Sequence, residues 1–234
     1  MYALTYKGLA WVIGGEVVVN GSTQYTNDVW QTRPDNSGAY WVKVATAQFS
    51  PRKQHTVVEF QNKLWLIGGR NSSDSFAEIW SSSDGITWTK SVGTVPFGKR
   101  YNHISFVYNN KIWLIGGVTY PETPVNDVWC SSNGVNWVKV ADHTQFKANG
   151  FLPNGGYDSV VFLDRMWIIG NAFGDKRQVW QSVDGVSWYL APNDNFTNTT
   201  NFTLEIYNGS IWLLSSNGEF DVWHSVNITP TPTP

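Results

Sequence analysis

A single cysteine, Cys130, is all this 234-residue chain carries, so no disulfide can form within it. Long apolar runs are also missing. None approaches the roughly 18 residues that span a bilayer, so no membrane insertion is expected. The formal net charge is −2, which leaves no basic field for nucleic acid or an anionic membrane. The four histidines, His55, His103, His143 and His224, are scattered, with no pair at close metal-ligand spacing. There is no carboxylate-rich calcium loop, glycine-rich phosphate loop or nucleophile elbow, so neither metal nor cofactor is expected. No apolar stripe at 3.6-residue spacing runs for ten residues, which argues against a helical array. No signal peptide is visible at Met1–Leu9, so the chain either leaves by another route or is a processed form.

Tryptophan is what the chain has in place of these features. All fourteen fall into three columns of one repeat. The first column is Trp11, Trp65, Trp113, Trp167 and Trp212. The second is Trp30, Trp80, Trp129, Trp180 and Trp223. The third is Trp41, Trp88, Trp137 and Trp188, with no fifth member. Steps along the first column are 54, 48, 54 and 45 residues, a period that suits propellers.

Each unit reads as four short strands. In the second unit these are His55–Phe60, Lys63–Ile67, Glu78–Ser82 and Thr87–Ser91. Two-residue turns join strands one and two: Lys7-Gly8, Gln61-Asn62, Asn109-Asn110 and Asn208-Gly209. Asp84-Gly85, Asn133-Gly134 and Asp184-Gly185 join strands three and four. Most of these residues tolerate the positive φ of a tight hairpin; Leu163-Asp164 is the exception.

Strand two ends in a double glycine: Trp11-Val12-Ile13-Gly14-Gly15, Trp65-Leu66-Ile67-Gly68-Gly69 and Trp113-Leu114-Ile115-Gly116-Gly117. An Asp-Val-Trp and a further Trp follow downstream. This pattern resembles the kelch repeat of β-propellers, the kind also found in galactose oxidase. The likeness covers about residues 1–226 and weakens in the fourth and fifth units, which read Gly170-Asn171 and Ser215-Ser216. It implies one propeller blade per unit. The expected fold is therefore an all-β propeller of five kelch-like blades, the last incomplete. Residues 227–234, rich in Thr-Pro, form an extended tail or linker. Galactose-oxidase chemistry does not carry over, because no convergent His/Tyr set accompanies Cys130. Ser82-Ser83-Asp84-Gly85-Ile86-Thr87-Trp88 also resembles the Asp-box of sialidase propellers. It is one residue short and reads as a hairpin turn with an aromatic anchor.

Closure of the ring is open at this level. The preferred account is a five-bladed ring whose last blade has three strands or borrows Asn227–Thr231 as a poor fourth; continuation into a larger ring beyond the Thr-Pro tail and completion by a neighbouring subunit are the alternatives. An exposed third strand gives the last option a physical motive. The Thr-Pro tail fits an extracellular or particle-surface or cell-surface location, with the cytoplasm as the alternative. Seven Asn-x-Ser/Thr sequons begin at Asn20, Asn71, Asn195, Asn198, Asn201, Asn208 and Asn227.

Long loops fall between strands two and three (Gly14–Asn27, Gly68–Ala77, Gly116–Asn126, Gly170–Arg177) and between strand four and the next strand one. In an up-and-down blade both classes emerge on one face, where function is expected. Candidate ligand contacts there are Tyr25, Phe76, Tyr120, Phe151 and Phe173, with Phe146 and Phe196 nearby. Arg52-x-x-His55 and Arg100-x-x-His103 repeat in register, which reads as an inter-blade strut; the two arginines could also border the channel mouth. Three inner-strand carboxylates, Glu59, Asp158 and Glu205, are the weak catalytic candidates. The preferred function is a non-catalytic binding or display module for a glycan or protein surface. The alternatives are a structural or decoration subunit of a surface assembly, and a carbohydrate-active enzyme.

Overall fold

The computed structural model describes residues 2–35, 38–119, 121–148, 156–171, 178–191, 202–216 and 220–225. Tyr120, Phe151, Phe173, Phe196 and the Thr-Pro tail lie outside them.

Alternating apolar and polar residues between tight turns give consecutive antiparallel sheets. The first holds β1 (Tyr2–Tyr6), β2 (Leu9–Val19), β3 (Ser22–Asp35) and β4 (Gly38–Thr46). The second holds β5 (Thr56–Phe60), β6 (Lys63–Ile67), β7 (Ile79–Ser82) and β8 (Thr89–Lys90). In the third, β9 (Arg100–Tyr101) joins the far end of β11, beside β10 (Ile104–Tyr108), β11 (Lys111–Thr119), β12 (Thr123–Ser131) and β13 (Val138–Ala141). The fourth holds β14 (Gly156–Phe162), β15 (Arg165–Asn171), β16 (Gln178–Ser182) and β17 (Tyr189–Leu190). A three-stranded sheet follows: β18 (Phe202–Tyr207), β19 (Ser210–Ser216) and β20 (Phe220–His224). Their first strands stand side by side in the order β1, β5, β10, β14, β18 and line one cavity of about 430 Å³. The molecule is an all-β propeller with four complete blades and a shorter sheet after them.

The turns between strands one and two all adopt positive φ at both central residues, from Lys7 (50°) and Gly8 (75°) to Asn208 (48°) and Gly209 (73°). Leu163 (48°) and Asp164 (55°) do the same without glycine or asparagine. There the flanking strands impose the geometry, at a strain cost that Asn or Gly would avoid.

Two segments expected as loops are strand instead. Most of Gly14–Asn27 is a long hairpin, because Val17-Val18-Val19 extends β2 and Asn20-Gly21, with φ of 50° and 76°, closes it. Gly116–Asn126 likewise continues β11 into β12 through Glu122, whose amide donates to Thr119 O at 2.7 Å.

Apolar side chains collect between consecutive sheets rather than in one central core, giving four clusters. Each of the first three junctions is stitched twice by aromatics. The first stitch packs a column-one tryptophan on the turn glycine of the next blade: Trp11 on Gly85, Trp65 on Gly134, Trp113 on Gly185. The indole N–H of each donates to the carbonyl of the aromatic five residues back, as in Trp65 to Phe60 O at 3.1 Å. For the second, a phenylalanine leaving one blade lies edge-on to the column-three tryptophan of the next. Phe49–Trp88, Phe97–Trp137 and Phe146–Trp188 have centroids 5.4, 5.2 and 5.4 Å apart. Phe146, expected as a ligand-face aromatic, is therefore a buried pin between blades three and four.

The turn before each buried column-three tryptophan is built as the sequence suggested. Ser82 Oγ accepts the Gly85 amide at 2.8 Å, Asp84 Oδ1 accepts the Ile86 and Thr87 amides, and Trp88 Nε1 donates to Gly85 O at 3.0 Å. Trp41 departs from its column. It is 49 % exposed, against 3 % for Trp88, and among the described residues no phenylalanine stands edge-on to it. Cys130 is buried on β12 and burial pushes its thiol up, which makes it unreactive.

Candidate functional site

The double glycines make room for the two paired histidines. Gly14 (φ 56°) and Gly69 (96°) flank His55, where a side-chain carbon would fall 2.9 and 2.8 Å from the histidine. His103 sits in the same way between Gly68 and Gly117, at 3.0 and 2.9 Å. Any larger residue at these four positions meets both positive φ and a collision.

The arginines beside them are struts. Arg52 bonds blade one through its main chain, with Gly15 N donating to its carbonyl at 2.8 Å. Its guanidinium reaches into blade two, donating to Gly68 O at 2.9 Å and Glu78 Oε2 at 2.7 Å. Arg100 repeats this one blade on: Gly69 N donates to its carbonyl, and its guanidinium donates to Gly116 O and, at 2.9 and 3.1 Å, to both carboxylate oxygens of Asp127. Both are at most 1 % exposed. Expected as ligand contacts, Arg52 and Arg100 are instead fully committed inside the fold, since a buried guanidinium must satisfy its donors internally. Burial pushes the Glu78 carboxyl up, but hydrogen bonds from Arg52, Lys90 and Trp80 outweigh this and hold it at about 2.

Beside the histidines lies a polar cup of about 190 Å³. Tyr2, Gln54, His55, Thr56, Asn102, His103, Ser105, Tyr157, Asp158 and Ser159 line it. Strand one begins here, so the cup lies at the channel end that faces the long loops. Gln54 (φ 55°) and Asn102 (56°) hold left-handed backbone in matching positions on its rim, and the Asn102 amide donates to Gln54 O.

Four side-chain atoms in this wall have no hydrogen-bond partner: Gln54 Oε1, His55 Nδ1, His103 Nδ1 and Ser105 Oγ. His55, His103 and Ser105 are 4, 4 and 6 % exposed, so water does not freely reach them. His55 Nε2 lies 3.1 Å from Ile13 O, which only accepts. That nitrogen therefore carries the proton and Nδ1 presents a lone pair. His103 Nε2 shares a hydrogen bond of 2.9 Å with Thr56 Oγ1 on the neighbouring blade. Burial, and then the charges of Arg52 and Arg100, lower both histidines to about 3, so both are neutral at ordinary pH.

Asp158 stitches blade four to the following sheet. Its Oδ2 accepts the Leu204 amide and its Oδ1 the Ser159 amide, each at 2.8 Å. Burial pushes its carboxyl up, the two amides pull it down, and Glu205 adds to the rise. Burial, Asp158 and Glu205 likewise raise the Tyr2 hydroxyl, so it stays protonated. Glu59 and Glu205 are exposed in the wall of the larger cavity, away from the histidines. With its oxygens occupied, Asp158 is a poor general acid or base.

The aromatic candidates divide. Tyr25 is half-buried on β3, with Lys53 Nζ 5.5 Å from its ring. Phe76 is half-buried under the Arg52 guanidinium at 4.0 Å. Neither lines the cup. Tyr120, Phe151 and Phe173 fall outside the described residues. No group of three or more metal-ligating side chains occurs among the described residues. Sequence reading passed over Gln54, Ser105, Tyr2 and Tyr157. The available signal was register: Tyr2, Thr56, Ile104 and Asp158 each stand two residues before the inner column Leu4, Val58, Phe106 and Val160.

The KLHDC2/KLHL20/DRC7 kelch-repeats domain model matches residues 2–189. No curated relative matches the sequence. Among solved structures, the one titled "Structure of YjhT" superposes with a TM-score of 0.68 at 14 % identity, over 96 % of this chain and 79 % of that one. At that identity the likeness speaks for the fold alone.

Proposed function

Because this chain belongs to the KLHDC2/KLHL20/DRC7 kelch-repeat family, we propose that it is a non-catalytic binding module that takes its ligand at the channel end facing the long loops. Kelch propellers are typically protein-binding modules, which supports the general class. One observation carries the choice of face. A polar cup of about 190 Å³ opens at that end, walled by Gln54, Asn102, Tyr157, Asp158 and Ser159, and a concave polar site is where a ligand is held. The ligand is a protein surface or a glycan terminus whose polar tip fills the cup while the surrounding loops hold the rest. The non-catalytic reading rests on Asp158, whose oxygens are already bonded. We include in the proposal a ring of five blades with the three-stranded sheet as the last, and display at an extracellular or particle surface.

A glycan-array and peptide-display screen of the purified chain tests this, repeated with Gln54→Ala and with Gln61→Ala on the opposite face. Loss of a ligand with Gln54→Ala and its retention with Gln61→Ala is the expected result. The reverse pattern contradicts the choice of face.

One observation favours a second reading, assembly through the blade edges. Trp30, Tyr40 and Trp41 are 38, 49 and 49 % exposed on blade one. In that reading a neighbouring subunit completes the last sheet, and the oligomeric state decides it.

A further inference from the structure

Blade one repeats a site that blades two and three fill with the chain itself. The filling segment has one form: Phe49-Ser50-Pro51-Arg52-Lys53 enters blade two, and Phe97-Gly98-Lys99-Arg100-Tyr101 enters blade three. In each, the phenylalanine wedges between two tryptophans. Phe49 lies 6.3 Å from Trp80 and 5.4 Å from Trp88, and Phe97 lies 6.0 Å from Trp129 and 5.2 Å from Trp137, centroid to centroid. The arginine ends on a carboxylate, Arg52 on Glu78 and Arg100 on Asp127. Each guanidinium also lies over its own phenylalanine, 5.5 and 5.3 Å from the ring centroid. The next residue adds to the edge of strand two: Lys53 pairs with Arg70, and Tyr101 with Val118. Aromatic ring, guanidinium and one paired residue dock as a unit.

The receiving parts recur in blade one, and they are accessible. Trp30 and Trp41 hold the places of Trp80 and Trp88. Trp30 is two residues from Thr32, and Thr32 is paired with Trp41, so both indoles share one face of the sheet. They are 38 and 49 % exposed, and among the described residues no ring packs on either. Asp28 precedes Trp30 by two residues, as Glu78 and Asp127 precede their tryptophans. Its Oδ1 holds Lys43 at 2.6 Å, and its side chain stays 27 % exposed. That lysine does not bar an arginine. Lys90 stands in the same place in blade two, and there Glu78 binds Lys90 through Oε1 and Arg52 through Oε2. The edge of strand two is open as well. β1 pairs with β2 only as far as Ile13, so among the described residues no strand flanks residues 16–19 on that side. Glu16, one residue past the double glycine, is the counterpart of Arg70 and Val118. An open edge of this kind takes up a further strand.

Charge defines the occupant. In blades two and three an acid meets an arginine, and in blade four neither is present: Gln178 stands in the acid's place and Asn149 in the arginine's. Blade one has the acid, Asp28, and among the described residues no arginine meets it. A carboxylate beside two exposed indoles suits a guanidinium that travels with an aromatic ring.

We propose that blade one docks an extended segment of another polypeptide in which an aromatic residue stands three positions before an arginine. The ring lies against Trp30 and Trp41, the guanidinium bonds Asp28, and the residue after the arginine pairs with Glu16. This surface is separate from the cup, and its occupation does not depend on what the cup binds.

The chain's own sequence supplies the probe, a synthetic peptide of residues 94–104 with capped ends. Calorimetric titration into the full chain should give one-to-one binding with a Kd of about 0.1 mM, accompanied by a blue shift of tryptophan emission. Phe97→Ala or Arg100→Ala in the peptide should each weaken binding about ten-fold. In the chain, Asp28→Asn and Trp41→Ala should do the same with little change in Tm, because both side chains are exposed. Asp28→Glu keeps the charge and should retain affinity within about three-fold. Asp28→Asn alone keeps the test open if Trp41→Ala folds poorly. No binding at millimolar peptide, equal binding of the Arg100→Ala peptide, or affinity unchanged by Asp28→Asn would overturn the proposal. So would a dimer in light scattering that Trp41→Ala dissolves, since the occupant would then be a second copy of the chain.

Discussion

His55 and His103 do two jobs at the residue scale: each fills the gap that the double glycines leave, and each borders the cup with one ring nitrogen left without a hydrogen-bond partner. Burial beside arginine has a consequence for stability. In the unfolded chain an imidazole takes its proton near pH 6.5, but in the fold these two take one only near 3. Above pH 6.5 neither state is protonated and the histidines cost nothing. As pH falls from 6.5 toward 3, the unfolded chain gains protons that the fold refuses. Stability should then drop by up to ~1.4 kcal/mol per pH unit for each histidine. Glu78, held at about 2, adds its own loss only below its ordinary 4.5. Melts between pH 7.5 and 5 should show Tm falling with acid, and His103→Gln should flatten that slope. A Tm independent of pH across this window would show that the imidazoles reach solvent. Both histidines were legible in the sequence as part of a repeated Arg-x-x-His strut. Their second role was not, because an unpartnered nitrogen is a property of three-dimensional surroundings and has no sequence signature.

Among the elements, the strands and their turns were the most legible part. In the second unit Lys63–Ile67 matches the expected strand residue for residue, and every two-residue turn between strands one and two lies where the pattern put it. Period-2 alternation and turn chemistry are local, so sequence shows them. The loops were misjudged where local signals allowed two outcomes: Val17–Val19 with Asn20-Gly21 makes a hairpin as readily as Gly14-Gly15 ends a strand. The role of Phe49, Phe97 and Phe146 was hidden for another reason, since each serves the following blade. They trail Trp41, Trp88 and Trp137 by eight or nine residues, a spacing visible only once blade order is known. A pair of substitutions checks the stitching. Trp137→Ala removes a buried ring packed on Phe97 and should cost about 3–5 kcal/mol. Trp41→Ala removes an exposed ring from the same column and should cost under about 1 kcal/mol in urea unfolding. Equal costs would mean that Trp41 is covered in solution, as the edge-assembly reading requires.

For the whole molecule, four apolar cores join successive sheets, and blade one turns its outer aromatics outward. The arginine struts and aromatic stitches described run forward along the chain, so blades two to four are each braced by the one before. Among the described residues no such strut or stitch reaches blade one. Asp28 shows this directly: it holds the place of Glu78 and Asp127, two residues before the column-two tryptophan, yet its partner is the surface Lys43 at 2.6 Å and not a buried arginine. The inner strands nevertheless share one channel from β1 to β18, and the Tyr2 hydroxyl feels the charge of Glu205 across the seam. Inner strands around one channel, with a polar cup at one end, suit binding at that end. The most direct test is a crystal structure of the chain with the ligand that the glycan-array and peptide-display screen selects. The account predicts that ligand at the cup, against Gln54, Asn102 and Tyr157. A ligand bound on the short-turn face would contradict it.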